Sequence, residues 1–124
     1  MIGLKSSYAG IVMAVIVTLE AFSGRPNPHW QLGAAEIAEF ERRLAALPAL
    51  AAGGTTPLEP LGYRGFSIGG RAAPVHVFHG VVMIGPQAFS DPGRGLERWL
   101  LDSGRGSIDP TLAGHVALEI GSSP

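Results

Sequence analysis

The densest apolar run lies from Ile11 to Phe22, where Ile11, Val12, Val15, Ile16, Val17 and Thr18 are β-branched. Such residues lose χ1 freedom in a helix and pack well on a pleated surface, so the run predicts a strand. Because apolar positions fall on both of its faces, the strand reads as a central one, covered on both sides. Ser23-Gly24-Arg25-Pro26-Asn27-Pro28 must then be a loop, since its two prolines fix two φ angles and remove two donors. Trp30 and Leu32 suggest a short extended piece. Gly33 followed by Glu36 has the spacing of a capping box, and Ile37, Phe40, Leu44 and Leu47 then recur at intervals of three and four. That spacing predicts a helix ending near Pro48.

Ala49 to Pro60 reads as a linker within the domain, with Gly53-Gly54 and Pro57 interrupting it. Tyr63, Phe66 and Ile68 predict a second strand, and Gly69-Gly70 a tight hairpin turn. Val75 to Ile84 reads as one third strand, with Gly80 a bulge or point of close approach and Gly85-Pro86 its end. Asp91-Pro92 carries a helix-start signal, weakened by Gly93 and Gly95, so the helix is expected from nearer Gly95 to a stop at Gly104. Asp109-Pro110 repeats the signal, and Leu112, Val116 and Ile120 favour a last helix over 110–119. The rival reading makes His115 to Ile120 a strand. The order β-α-β-β-α-α predicts an α+β fold, a three-stranded, mainly antiparallel sheet with helices packed on it. The chain is expected to be one domain over 1–124, with 1–12 a non-native or flexible extension and 121–124 a frayed tail.

The chain has 124 residues, 46% of them hydrophobic, and a formal net charge of -1. That length suits one domain, and the composition is the reverse of a disordered one. With no cysteine, disulfides, thiolate metal sites and a cysteine nucleophile are excluded. Near-neutral charge removes the general case for specific nucleic-acid binding. Lys5, the apolar stretch Tyr8–Leu19 and Ala21-Phe22-Ser23 match a secretory leader formally. The β-branched content and Glu20 favour a strand instead, which leaves the cytoplasm as the expected compartment and secretion as the rival. The stretch is too short for a membrane span.

Ser23 to Trp30 is the best candidate site. Stiffened by its prolines, it would present Arg25, Asn27 and His29 with little entropy left to lose. Arg25 offers a planar fork for a carboxylate or phosphate, Asn27 an amide, and Trp30 a flat apolar surface. Tyr63 and Arg64, on the neighbouring hairpin, complete the candidate ligand-binding set. The same residues admit a structural account, with Arg25 paired to Glu20 or Glu36, Asn27 closing a turn before Pro28, and Trp30 in the core. His29, His76 and His79 are weak metal candidates, because period two sends His76 and His79 to opposite faces. No other cofactor is indicated. Arg64, Arg71, Arg94, Arg98 and Arg105 could gather with Arg25 into an anion-binding face. Motifs for a serine hydrolase, a zinc protease or a P-loop are absent.

Phe22 to Pro28 followed by Trp30, with Gly62-Tyr63-Arg64-Gly65 later, resembles a signature of short uncharacterised bacterial and fungal proteins. The resemblance covers about half the chain and implies no activity. The expectation is a non-enzymatic binding module whose 23–30 loop holds an anionic group or a partner protein. The alternatives are a small histidine-based metal-binding protein or enzyme, and a structural subunit of a homo-oligomer.

Overall fold

The computed structural model describes residues 14–21, 26–50 and 62–121. The expected extension over 1–12, Phe22 to Arg25, most of the 49–60 linker and the last three residues of the tail lie outside them. The fold is α+β and its sheet is antiparallel, but the sheet has six strands where three were expected. They are β1 (Ile16–Leu19), β2 (His29–Gln31), β3 (Phe66–Gly69), β4 (Val75–Phe78), β5 (Val81–Ile84) and β6 (Gln87–Ser90). Their order is β2-β1-β3-β4-β5-β6.

The extra strands arise at turns. His79 and Gly80 both have positive φ, 56° and 81°. A pair with positive φ at both central positions is a hairpin turn matched to strand twist, and histidine is among the side chains that tolerate it. The stretch 75–84 is therefore two strands, not one. Gly85 (φ 57°) followed by Pro86 starts a second tight turn, so the chain reverses there instead of ending its sheet. The short piece at Trp30 pairs with β1 as the edge strand β2. Conversely, the expected Gly69-Gly70 turn is a longer connection, Gly70 to Pro74. It is closed by Arg71, which donates to Glu41 at 2.8 Å and to the Ala73 carbonyl at 2.8 Å.

Three helices among the described residues pack on one face of this sheet. The first, α1 (Ala34–Ala45), starts where expected, the Gly33 N–H donating to Glu36 Oε1 at 2.8 Å. It buries Phe40 and Leu44. The second, α2 (Gly95–Ser103), follows a 3₁₀ turn over Pro92–Arg94. Asp91 caps it, accepting from the Leu96 and Glu97 N–H groups at 2.8 and 3.0 Å. Its end at Gly104, where φ is -109°, calls for glycine through packing. A Cβ there would come within 2.3 Å of the Trp30 indole. The third, α3 (Pro110–Gly121), is the helix reading of the C-terminal segment, with Asp109 Oδ2 accepting from Thr111 and Leu112.

Sheet register fixes what each face shows. Leu19, Phe66, Val77, Val82 and Phe89 form one cross-strand row under the helices. Trp30, Val17, Ile68, Val75 and Ile84 form a second. These side chains join those of the helices in one core. Alternation sends the intervening row, His29–Thr18–Ser67–His76–Met83–Ala88, to the opposite face. The N-terminal strand is thus interior in the sheet but covered by helices on one side, with Ile16 and Thr18 half-buried on the other. Pro48 to Leu50 runs along the outer edge of β6, its carbonyl at Pro48 accepting from Ser90 at 2.8 Å.

Candidate functional site

The proline-rich segment closes the β1–β2 hairpin. Asn27 holds the closure from both ends of its amide. Its Oδ1 accepts from the Ala21 N–H at 3.0 Å and its Nδ2 donates to Glu20 Oε1 at 3.2 Å. The Pro28 carbonyl accepts from the Leu19 N–H at 2.9 Å. His29 is exposed beside this clasp. Arg25, the expected anion fork, lies outside the described residues.

Trp30 is placed differently from a ligand platform. It is 7% exposed, lies edge-on to Phe66 and donates from Nε1 to Ser103 Oγ at 2.9 Å. Its flat surface is used by the core, as alternation along β2 dictates. Tyr63 is half-buried against Phe66 and Phe78 and donates its hydroxyl to Glu97 Oε2. Arg64 is exposed, and its backbone N–H donates to the Glu20 carbonyl at 2.7 Å. The Pro26–His29 segment and the 63–64 segment therefore both fasten to the end of β1, at Glu20 and Ala21.

Two clefts open beside this junction. One, of about 410 Å³, lies between Pro26–His29 and the start of α3, where Ser107, Asp109 and Leu112 form the facing wall. The other, of about 290 Å³, is lined by Ala21 and Tyr63 on one side and by Leu112, His115 and Glu119 on the other. Leu112 borders both, so the clefts follow α3 in succession.

The histidines do not assemble. His79 sits in the β4–β5 turn and His76 on the open sheet face. Among the described residues no three metal-ligating side chains come together. Burial lowers the His76 pKa from its ordinary value, a shift opposed by the charges of Glu20 and Glu97. Of the arginines expected to gather into an anion-binding face, three are engaged by carboxylates. Arg71 pairs with Glu41, Arg105 with Asp102, and Arg94 is buried against Glu97.

That last pair belongs to a cluster the sequence reading missed. Glu97 is fully buried and accepts from the Arg94 Nε and Nη2 (2.8 and 2.7 Å), the His79 N–H (3.0 Å) and the Tyr63 hydroxyl. Burial, with the Glu97 charge behind it, raises the Tyr63 pKa far above that of a free phenol, so the ring stays a neutral donor. The Glu97 hydrogen bond raises Arg94. Asp91 is raised by burial, in spite of the two N–H groups it accepts from. No described buried side-chain polar atom lacks a partner. The detectable signal was Glu97 itself, one residue after Leu96 and three before Leu100 on the inward side of α2, with Arg94 one turn earlier.

Comparison with protein-family models, with curated proteins and with solved structures finds no match for this chain. No described helix is long and apolar enough to cross a membrane.

Proposed function

We propose that the chain is a binding module that holds a segment of a partner protein in the cleft between Pro26–His29 and the start of α3. The observation that carries this reading is the preset wall of that cleft. Asn27 is bonded at both ends to Glu20 and Ala21, and two prolines restrict the backbone around it. A wall already ordered loses little further entropy when a partner docks. Pro26, Pro28 and Leu112 offer apolar contact, His29 an exposed ring that both donates and accepts. A protein segment suits the cleft better than a bare anion, because the Asp109 carboxylate lines it and repels negative charge. The anion-holding role of Arg25 rests on the sequence alone.

Affinity capture from a lysate of the source organism tests the proposal, using wild type beside a His29→Ala/Ser107→Arg double variant. Both positions are exposed, so the variant should melt with the wild type while losing the captured partner. A partner retained equally by the two proteins would overturn the assignment.

A further inference from the structure

The proposed cleft leaves the opposite face of the sheet unused, and that face carries a row of solvent-accessible polar groups with hydrogen-bonding capacity that the described residues do not take up. Thr18, Ser67, His76 and Met83 stand side by side on β1, β3, β4 and β5, in register. They line a groove of about 560 Å³ whose sides include Ile16 and Pro74. We propose that this groove binds a neutral aromatic molecule bearing an N–H or O–H donor.

The chemistry follows from hydrogen-bond bookkeeping. His76 Nε2 lies 2.9 Å from the Arg64 carbonyl, which can only accept, so Nε2 carries the proton. In the neutral ring Nδ1 is then a lone-pair acceptor, and it has no partner among the described residues. The Thr18 and Ser67 hydroxyls likewise make no hydrogen bond among the described residues. Burial lowers the ring's pKa from its ordinary value, which favours the neutral form that carries this acceptor. Apart from His76, no lining residue is ionisable. An anion would lose its hydration within reach of the Glu20 and Glu97 charges that act on His76, a cation would find no counter-charge among the lining residues, and a hydrocarbon would leave the imidazole and hydroxyls unpaired. A neutral ligand with a donor avoids these costs. The aromatic part is favoured by the flat floor of the sheet and by the Met83 thioether, since sulfur packs well at about 5 Å from a ring. Strands spaced by about 4.8 Å set Thr18 and His76 roughly 10 Å apart, the span of a two-ring molecule.

Titration of the full chain with 2-naphthol, followed by NMR, tests the assignment, with 2-methoxynaphthalene as the control that lacks the donor. The expected result is perturbation of the His76 ring and Met83 methyl resonances, with 2-naphthol binding at least tenfold tighter than its ether. His76→Phe keeps an aromatic ring at the position, removes the acceptor and should erase that preference. Ser67→Tyr, at a half-buried position on the open face, fills the groove and should abolish binding of both molecules should His76→Phe fail to fold. Equal affinity for the two molecules, shifts confined to residues outside the groove, or 2-naphthol binding unchanged in Ser67→Tyr would each overturn the proposal. None of these outcomes depends on the α3 cleft, so each reading can fail alone.

Discussion

The two faces of the sheet are built from alternate residues of the same strands, yet they use side chains in opposite ways. Under the helices, Leu19, Phe66, Val77 and Val82 are excluded from water and held by packing. On the other face their immediate neighbours Thr18, Ser67 and His76 keep hydrogen-bonding capacity that the described fold does not consume. The contrast teaches that a polar residue in a strand is informative by its row. A serine flanked by core residues on its own strand stands beside a threonine and a histidine across the sheet.

Substitutions can break that contrast. The largest effect is expected at Phe66→Ala, which removes a fully buried ring and should cost about 3–5 kcal/mol, whereas Ser67→Ala should stay within about 0.5 kcal/mol. Urea unfolding of the two variants checks both figures, and equal losses would remove the distinction between the faces. Glu97→Ala should cost a comparable 3–5 kcal/mol, because it leaves the Arg94 guanidinium buried without its carboxylate. An Arg94→Met/Glu97→Leu double variant should recover much of that loss, since the desolvated pair is replaced by apolar volume. Gly104→Ala should cost about 1–3 kcal/mol by overpacking the Trp30 indole, visible as a lowered melting midpoint and altered indole fluorescence.

Smaller effects sharpen the picture. Asn27→Ala loses the bonds to Ala21 and Glu20 at the hairpin closure and should cost about 1–2 kcal/mol, while exposed His29→Ala should leave the melting curve in place. That pair of melts separates the structural part of the proline-rich segment from its accessible part. The smallest effect is the pH dependence carried by His76. Its folded pKa lies below the ordinary 6.5, so as pH falls the unfolded chain takes up the proton first. Stability should be full above about pH 6.5 and decline as the solution is acidified toward the folded pKa. The decline between pH 7.5 and 5.5 should be shallower in His76→Gln, and identical slopes would contradict the burial of the ring.

Local chemistry made the helices legible. Glu36 reaching back to Gly33, Asp91 and Asp109 before their prolines, and Gly104 after Ser103 all stand where backbone groups at helix ends need partners. The hairpins were harder. Apart from His76, residues 75–84 are apolar on both sides of His79-Gly80, so hydrophobic patterning does not change where the chain reverses. The turn is marked only by two residues that accept positive φ. At the candidate site, the structural account of Trp30 was readable from its place opposite Val17 only once β2 was known. The Asn27 bonds to Ala21 and Glu20 depend on closing the hairpin, a relation between residues six and seven positions apart that periodicity does not encode.

The strand order also bears on how the chain emerges from a ribosome. β1 pairs with β2 on one side soon after synthesis, but its other side waits for β3, which begins at Phe66, 47 positions after Leu19. At translation rates of about 5–20 residues per second, that interval is roughly two to ten seconds. Throughout it the nascent chain carries an unsatisfied edge at Ile16–Leu19. Slowing translation between the two strands should therefore lower the soluble yield of this protein more than slowing it within the β3–β6 meander, where each strand meets its partner almost as soon as it is made.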